Sequence, residues 1–229
     1  MRIRRFIADL ALKQLGLARL SNSRLQKGVR AVLDEIDFQQ LRDGHPCAGF
    51  SKRSAMFQFI QSTVIKGEAI EYLEFGVHRG DSIREWITLN ECPESRFYGF
   101  DSFEGLPEDW RNGQGRGHFD MEGNIPKLED ARVAFVKGWF DQTVPRFVRE
   151  FAPKSRLVLH MDADLYGSTM IPLMYFTPYL KKGSLLLFDE FYDREHEFKA
   201  LQDYVKISRV GYRAVAQMDN YGKFCIELE

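Results

Sequence analysis

The chain has 229 residues, of which 44% are hydrophobic, 28% charged and 14% aromatic, as expected for a globular protein. Its formal net charge of −1 gives no overall basic surface and argues against nucleic acid as a partner. The three cysteines show no C-x-x-C spacing, which argues against a disulfide framework or a zinc site and favours a reducing, cytoplasmic location. No apolar run approaches the ~18 residues of a transmembrane segment.

Residues 1–67 are predicted to form an N-terminal helical extension, which we interpret as a lid. Apolar residues recur at helical spacing in Ile3–Leu17 and Leu25–Ile36, Asp37–Phe50 is interpreted as a linker, and a third helix is predicted at Met56–Ile65. Residues 1 to 30 hold eight basic side chains and one acidic side chain. Such a basic, amphipathic extension contacts its own domain, a membrane surface or a partner subunit, and the last case predicts a homo-oligomer formed through the N-terminal helices.

Residues 68–229 predict one compact α/β domain in which strands alternate with helices. Runs such as LVLHM and LLLF lack the alternation of half-exposed strands, which indicates a parallel sheet covered on both faces. The predicted strands are Ala69–Val77, Arg96–Phe100, Arg132–Lys137, Arg156–Met161 and Gly183–Phe188. The predicted helices are Asp81–Leu89, about Lys127–Ala131, Thr143–Phe151 and Ser168–Leu180.

The C-terminal region follows a different pattern. After a predicted helix at Glu195–Ser208, two strand-like runs, Tyr212–Met218 and Lys223–Leu228, flank an Asn and Gly turn. This pattern predicts a β-hairpin, so the last strand should be antiparallel. The whole layout resembles the Rossmann-like sheet of class I methyltransferases, with helices on both faces.

The stretch Glu71–Trp86 is typical of a cofactor-binding turn. A buried strand passes through Gly76 and Gly80 into a helix, and glycines allow the backbone to approach a ligand closely. Asp101 follows the next strand, where a carboxylate can accept hydrogen bonds from both ribose hydroxyls. The turn lacks the G-x-G-x-x-G pattern that binds a pyrophosphate, so it favours S-adenosylmethionine over NAD.

Acidic residues follow the fourth and fifth predicted strands. Asp162, Asp164, Asp189 and Glu190 should meet at one edge of the sheet, where their mutual repulsion is costly unless a cation neutralises it. Oxygen ligands suit Mg²⁺ or another hard divalent ion. The alternative interpretation is that Asp162 or Asp164 caps the following helix while the later pair faces water.

The motifs YLEFGVHRGDS, YGFDSFEGLP, KGWFDQTVP, MDADLYGST and LLLFDEF, in this order, resemble the macrocin and mycinamicin sugar O-methyltransferase family. The resemblance implies S-adenosylmethionine as the methyl donor, a divalent metal, usually Mg²⁺, and a hydroxyl acceptor on a small molecule, often a sugar. It assigns the donor's methionine end to Glu74, Gly76 and Ser82, its ribose to Asp101 and Ser102, and its adenine to Gly138 and Trp139. Phe75 and Gly80 are further candidate cofactor-binding residues. It assigns the metal to Asp162, Asp189 and Glu190.

The resemblance also makes Asp162 the candidate base and another contact of the cofactor. His160 and His196 are lesser catalytic candidates, because a lone histidine beside a strand is more often a structural residue. The family usually has aspartate where this chain has Glu190, whose side chain is one methylene longer. The long loop Phe103–Pro126 is assigned to acceptor recognition.

Two other functions remain open from the residues alone. A metal-dependent glycosyltransferase also uses a D-x-D motif, as in Asp162 to Asp164, although it does not account for the glycine turn or the closing hairpin. A non-catalytic cofactor-binding protein is the second alternative. The identity of the acceptor cannot be read from the sequence.

Overall fold

The computed structural model describes residues 47–111 and 113–229, and these belong to one compact unit. The predicted helices within residues 1–36, and an oligomer contact formed through them, lie outside the described residues. Their assignments therefore stay predictions.

Eight strands and five α-helices make up the described part of the chain. The strands are β1 (Ala48–Phe50), β2 (Ile70–Phe75), β3 (Arg96–Asp101), β4 (Val133–Lys137), β5 (Arg156–Met161), β6 (Leu185–Asp189), β7 (Tyr212–Met218) and β8 (Lys223–Leu228). The α-helices are α1 (Arg53–Phe59), α2 (Asp81–Leu89), α3 (Phe140–Glu150), α4 (Tyr166–Phe176) and α5 (Glu197–Ser208). A π-helical segment, Ile60–Ile65, continues α1, and 3₁₀ turns follow α4 (Thr177–Tyr179) and β7 (Asp219–Tyr221).

All eight strands form one sheet in the order β1-β7-β8-β6-β5-β2-β3-β4. Neighbouring strands are parallel except where β8 pairs with β6 and β7, to which it is antiparallel. The antiparallel register places Lys223 opposite Asp189. The prediction of a mostly parallel, Rossmann-like sheet with an antiparallel last strand is confirmed.

Strand β2 lies in the middle of the sheet, between β5 and β3. All six of its residues are buried, which explains why the run Ile70–Phe75 shows no alternation of apolar and polar side chains. Because β2 to β6 are mutually parallel, the residues that follow them lie along one edge of the sheet. Ligands of open α/β sheets bind at this edge.

Two elements differ from the sequence expectations. The prediction of a helix at Lys127–Ala131 is wrong: the segment is irregular, and the Asp130 side chain accepts a hydrogen bond from the Arg132 amide at 2.8 Å, forming a local turn instead. Strand β1 lies within the predicted linker and pairs with β7, and three residues are too few for a recognisable period. The division of the chain at residue 67 stays a prediction, although β1 and α1 belong to the same compact unit as the sheet.

Two further expectations concern the compartment. No helix in residues 47–111 or 113–229 has both the length and the apolar character needed to cross a membrane. Cys92 and Cys225 carry free thiols. The cytoplasmic location stays a prediction.

Candidate active site

The turn after β2 is fixed to the strands on both sides of it. Asp101, at the end of β3, accepts hydrogen bonds at Oδ2 from the backbone amides of Val77 and His78, both at 2.8 Å. Gly76 has a φ of +98°, and a Cβ atom there would lie 1.7 Å from the carbonyl oxygen of Asp162 after β5. Glycine is therefore required, because any side chain would collide with the neighbouring backbone.

Helix α2 begins directly after this turn. Gly80 is its N-cap residue, with a φ of +76°, and provides no side-chain cap. Ser82, in the first turn, accepts a hydrogen bond at Oγ from Arg53 Nη1 at 3.3 Å, and Arg53 Nε donates to Glu85 Oε2 at 3.0 Å. The start of α1 is thereby joined to the first turns of α2.

A cavity of about 700 Å³ lies at the carboxyl ends of β2 to β6, which is the size range of small-molecule sites. The candidate residues that line it are Gly76, Ser82, Asp101, Ser102, Gly138, Trp139, Asp162 and Glu190. Glu74, Phe75, Gly80, His160, Asp189 and His196 are not among the described lining residues. About half of the candidates thus meet at the cavity wall, and the others do not line it.

Phe75 and Glu74 lie on opposite faces of β2, as successive strand residues do. The Phe75 ring stacks on Phe100 with centroids 4.8 Å apart, within the core. Glu74 is only 1% exposed, and its Oε2 lies 2.6 Å from the hydroxyl oxygen of Tyr72. Both residues therefore support the cavity from behind its wall.

A chain of buried hydrogen bonds runs from Glu74 towards the acidic residues. The Tyr72 hydroxyl lies 2.6 Å from His160 Nδ1, and His160 Nε2 lies 3.2 Å from Asp189 Oδ1. The Lys223 ammonium donates to Asp189 Oδ2. This series of hydrogen bonds links the middle strand of the sheet, β2, to the hairpin strand β8.

One arrangement of protons gives every link of this chain a donor. Burial raises the pKa of Glu74 to about 8, so its carboxyl group is protonated at neutral pH and can donate to Tyr72. The Tyr72 hydroxyl then donates to His160 Nδ1, and His160 Nε2–H donates to Asp189. Burial also lowers the pKa of His160, which agrees with a neutral imidazole. We assign these roles from the hydrogen-bond geometry.

The pKa values of Asp162 and Asp189 are shifted in opposite directions, although the two carboxyl groups lie in the same charged environment. Burial and the charge of Asp189 raise the pKa of Asp162 well above its usual range. Burial would also raise the pKa of Asp189, but the Lys223 charge and the His160 hydrogen bond hold it well below the usual range. Asp189 is therefore the ionised member of the pair, and Asp162 keeps its proton unless further positive charge arrives.

The donor atoms best placed to share a cation belong to His160, Asp162 and Asp189, within 4.8 Å of one another. Glu190 does not belong to this group among the described residues. It has a φ of +40° and lies at the cavity wall, where its Oε2 is 3.9 Å from the Arg111 guanidinium. Two of the three predicted metal ligands are thus together, and the third faces the long loop.

The structure adds two acidic residues to this region. Glu197, in the first turn of α5, is fully buried. Neither of its carboxylate oxygens has a hydrogen-bond partner among the described residues, because the nearby Ala163 amide does not meet the distance and angle of a hydrogen bond. Burial raises its pKa well above the usual range. Burial, reinforced by the charge of Glu190, raises the pKa of Asp164 to about 7. The region thus holds more carboxyl groups than cations.

His196 has a local structural contact. Its Nδ1 accepts a hydrogen bond from the Tyr166 amide at 3.1 Å, at the start of α4. The imidazole therefore caps α4 on the side of the sheet where the acids lie. Its catalytic role stays a prediction.

The long loop after β3 is joined to the segment that follows β6. Trp110 Nε1 donates to Asp193 Oδ2 at 2.9 Å, and Arg111 Nη1 donates to the Tyr192 hydroxyl at 2.8 Å. Phe119 from the same loop lines the cavity. The loop therefore forms one wall of the cavity over the acidic residues.

The family model of TylF, macrocin O-methyltransferase, matches residues 39–225 of the chain. This match covers most of the chain, including the glycine turn, Asp101 and the acidic residues. The chain belongs to the macrocin O-methyltransferase (TylF) family. The resemblance inferred from the five motifs is confirmed.

Two relatives of the chain are named as O-methyltransferases. The chain is 28% identical over 172 residues to 8-demethyl-8-(2,3-dimethoxy-alpha-L-rhamnosyl)-tetracenomycin-C 4'-O-methyltransferase of Streptomyces olivaceus, covering 64% of this chain and 62% of that protein. It is 26% identical over 173 residues to mycinamicin III 3''-O-methyltransferase of Micromonospora griseorubida, covering 64% and 65%. The chain thus spans a little under two thirds of the length of these relatives.

Two solved structures share the fold. The O-methyltransferase NovP superimposes with a TM-score of 0.60 at 20% identity, covering 76% of this chain and 78% of that one. The calicheamicin methyltransferase CalS11 superimposes with a TM-score of 0.56 at 23% identity, covering 76% of each chain. At these identities the likeness establishes the class I methyltransferase fold of this TylF family member.

Proposed function

We propose that the protein is an S-adenosylmethionine-dependent O-methyltransferase. Its acceptor is a hydroxyl group of a small molecule, specifically a sugar or a glycosylated natural product. The observation that carries this proposal is the meeting of the glycine turn, Asp101 and the buried acids in one cavity. The names of the relatives from Streptomyces and Micromonospora support the same acceptor class.

We call the residues after β2, β3 and β4 the donor end of the cavity. Its chemistry fits a nucleoside with an amino-acid tail, because Asp101 Oδ1, which accepts from the Phe103 amide, keeps one acceptor position for a ribose hydroxyl and the Trp139 indole offers an apolar surface to adenine. Gly76 and Ser82 would hold the methionine end, while Glu74, Phe75 and Gly80 support the turn. When bound, this cofactor supplies an electrophilic methyl group on a sulfonium ion.

We call the residues after β5 and β6, together with Lys223, the acid end. The donor atoms of Asp162, Asp189 and His160, with the excess of carboxyl groups around Glu197, fit a hard divalent cation such as Mg²⁺. Asp162 and Asp189 would hold the ion, and Glu190 would join them only by turning away from Arg111. Since His160 Nε2 is engaged with Asp189, it positions that ligand. Bound there, the ion would lower the pKa of an acceptor hydroxyl.

The acceptor hydroxyl must lose its proton as its oxygen bonds to the methyl carbon and the carbon–sulfur bond breaks. Asp162 lines the cavity beside the turn of β2 and is the proposed proton acceptor, because the charge of a bound cation would leave its carboxyl group ionised. Asp164 is a second candidate, because its pKa of about 7 leaves a large ionised fraction at neutral pH. The cavity walls hold the oxygen in line with the methyl group, which accounts for much of the catalysis in such reactions.

The test is calorimetric titration of the full chain with S-adenosylhomocysteine, with and without Mg²⁺, followed by methyl transfer to a panel of sugar and phenol hydroxyls. We expect saturable binding, methyl transfer to a sugar hydroxyl, and loss of transfer in excess EDTA. Undiminished transfer in EDTA would contradict the metal. Binding of a nucleotide sugar without binding of S-adenosylhomocysteine would favour the glycosyltransferase alternative, and tight binding without any transfer would favour a non-catalytic protein.

A further inference from the structure

The cavity has an unequal charge distribution. Its described lining residues include seven carboxyl side chains, Asp81, Asp101, Glu108, Asp141, Asp162, Asp164 and Glu190. The permanently positive lining residues in the same part of the chain are Arg53 and Arg79. These two arginines therefore attract a ligand carboxylate, whereas the seven carboxyl groups, when ionised, repel it.

The two arginines differ in how they are held. Arg79 lies on the exposed turn between β2 and α2. Arg53 begins α1 and is fixed in direction by Glu85 Oε2 at Nε and by Ser82 Oγ at Nη1, with 38% of its side chain exposed. A guanidinium has five N–H donors, so the bonds to Glu85 and Ser82 leave about three for a ligand in the cavity. Arg53 is therefore the preorganised cation.

The order of the strands places Arg53 at one defined end of the donor. Trp139 follows β4, Asp101 ends β3 and Gly76 follows β2, so a nucleoside laid along this edge runs from β4 towards β2. Arg53 reaches the first turn of α2, just after the β2 turn. Its charge also acts on Glu74 and His160, which lie on β2 and β5. It is thus at the end opposite the adenine site.

We propose that Arg53 binds the carboxylate of the methionine end of the donor, with Ser82 as its positioning partner. The proposal rests on the proposed function, since it assumes S-adenosylmethionine as the donor. It adds a residue from α1, outside the glycine-turn motif, to the binding site. A charge-assisted pair of this kind contributes a factor of about 10 to 100 in affinity.

The experiment compares two ligands that differ in the amino-acid end. S-adenosylhomocysteine carries the carboxylate, and 5′-methylthioadenosine lacks the whole amino-acid group. Calorimetry of the full chain should show that Arg53→Met weakens S-adenosylhomocysteine binding at least about tenfold and changes methylthioadenosine binding less than about twofold. Retained methylthioadenosine binding also shows that the variant has kept its cavity.

Glu85→Gln is the matched control, because the amide oxygen can still accept from Arg53 Nε and hold its direction, while the negative charge of the ion pair is removed. We expect its affinity for S-adenosylhomocysteine to stay within about threefold of wild type. Equal losses for both ligands in Arg53→Met, no loss for either, or an equal loss in Glu85→Gln would overturn the inference alone. Failure of the wild type to bind S-adenosylhomocysteine would overturn the proposed function and this inference with it.

Discussion

The donor end and the acid end of the cavity differ in what holds their functional groups. At the donor end, Asp101 is bound to the backbone amides of Val77 and His78, and the turn itself depends on a glycine at position 76. These contacts join the ends of neighbouring strands, since Asp101 lies 24 and 23 residues from Val77 and His78, and most of them use the backbone. The geometry of the donor end is therefore set by the backbone conformation of adjacent strand ends.

The acid end is held by side chains from distant parts of the chain. Tyr72 contacts His160, 88 residues away, and Lys223 contacts Asp189, 34 residues away. Each of these groups is polar or charged and almost fully buried, so each depends on its partner for stability. Changes at the donor end should thus act through the backbone, and changes at the acid end through charge.

The largest effect is expected for Asp162→Ala at the acid end. Loss of the proton acceptor should lower the rate of methyl transfer about 10³-fold, with the affinity for S-adenosylhomocysteine changed only a few-fold. Initial rates with the acceptor found in the hydroxyl panel, together with calorimetry, measure both quantities. Asp203→Ala, on α5 and paired with Lys199, is the control and should keep its rate. Full activity of Asp162→Ala would remove this residue from the mechanism.

At the donor end, Gly76→Ala should be the most damaging change. Its Cβ would lie 1.7 Å from the Asp162 carbonyl oxygen at a φ of +98°, so we expect the free energy of unfolding to fall by about 4 kcal/mol and cofactor binding to be lost. Gly67→Ala is the control, because Gly67 also has a positive φ, +76°, but has open space at the Cβ position. It should cost only about 1 kcal/mol. Equal losses in urea denaturation would contradict the steric argument.

The donor end can be predicted from the sequence because its residues stand directly at the ends of the strands and act mainly through the backbone. Gly76, Asp101 and Gly138 directly follow apolar runs. The residue type at each position indicates either a close backbone approach, for glycine, or a hydrogen-bonding contact, for aspartate. Helix α2 and strands β5, β7 and β8 were predicted with the bounds that the structure shows. The family motifs cover the same residues.

The contacts at the acid end cannot be read in the same way. Lys223 stands first in a hairpin strand and looks like an exposed cation until the β6–β8 register places it opposite Asp189. Glu197 looks like a solvated acid in the first turn of a helix, whereas packing of α5 buries it completely. Both assignments depend on tertiary packing, which local sequence patterns do not contain.

Lys223→Met tests the charge balance of the acid end. The variant leaves Asp189 buried with only His160 as a partner, so we expect the free energy of unfolding to fall by about 3 kcal/mol without metal. Mg²⁺ should restore stability more in the variant than in the wild type, because a divalent ion can replace the ammonium charge. Urea denaturation with and without Mg²⁺ measures this, and Lys206→Met, an exposed lysine of α5, is the control. An identical response to Mg²⁺ in all three proteins would contradict a cation site at Asp189.

The smallest expected effect concerns Asp164 and the pH dependence of the rate. Its pKa is raised to about 7, so as a proton acceptor it is mostly inactive at pH 6 and mostly ionised at pH 8. If Asp164 rather than Asp162 accepts the proton, the rate should rise about tenfold over this interval, and Asp164→Asn should lower the rate and remove the rise. The same raised pKa affects stability in the opposite direction. The unfolded chain releases this proton near pH 4, whereas buried Asp164 holds it up to about pH 7. The free energy of unfolding therefore falls as pH rises from about 4 to 7.

Asp164→Asn should therefore flatten both profiles, while a purely structural role would flatten only the stability profile. If the rate of the variant still rises through pH 7, another group carries the titration. Glu74 is the first alternative, because its pKa is about 8 and it connects to Asp189 through Tyr72 and His160. In that case the rate profile of Glu74→Gln, measured over the same interval, should lose the rise that Asp164→Asn retained.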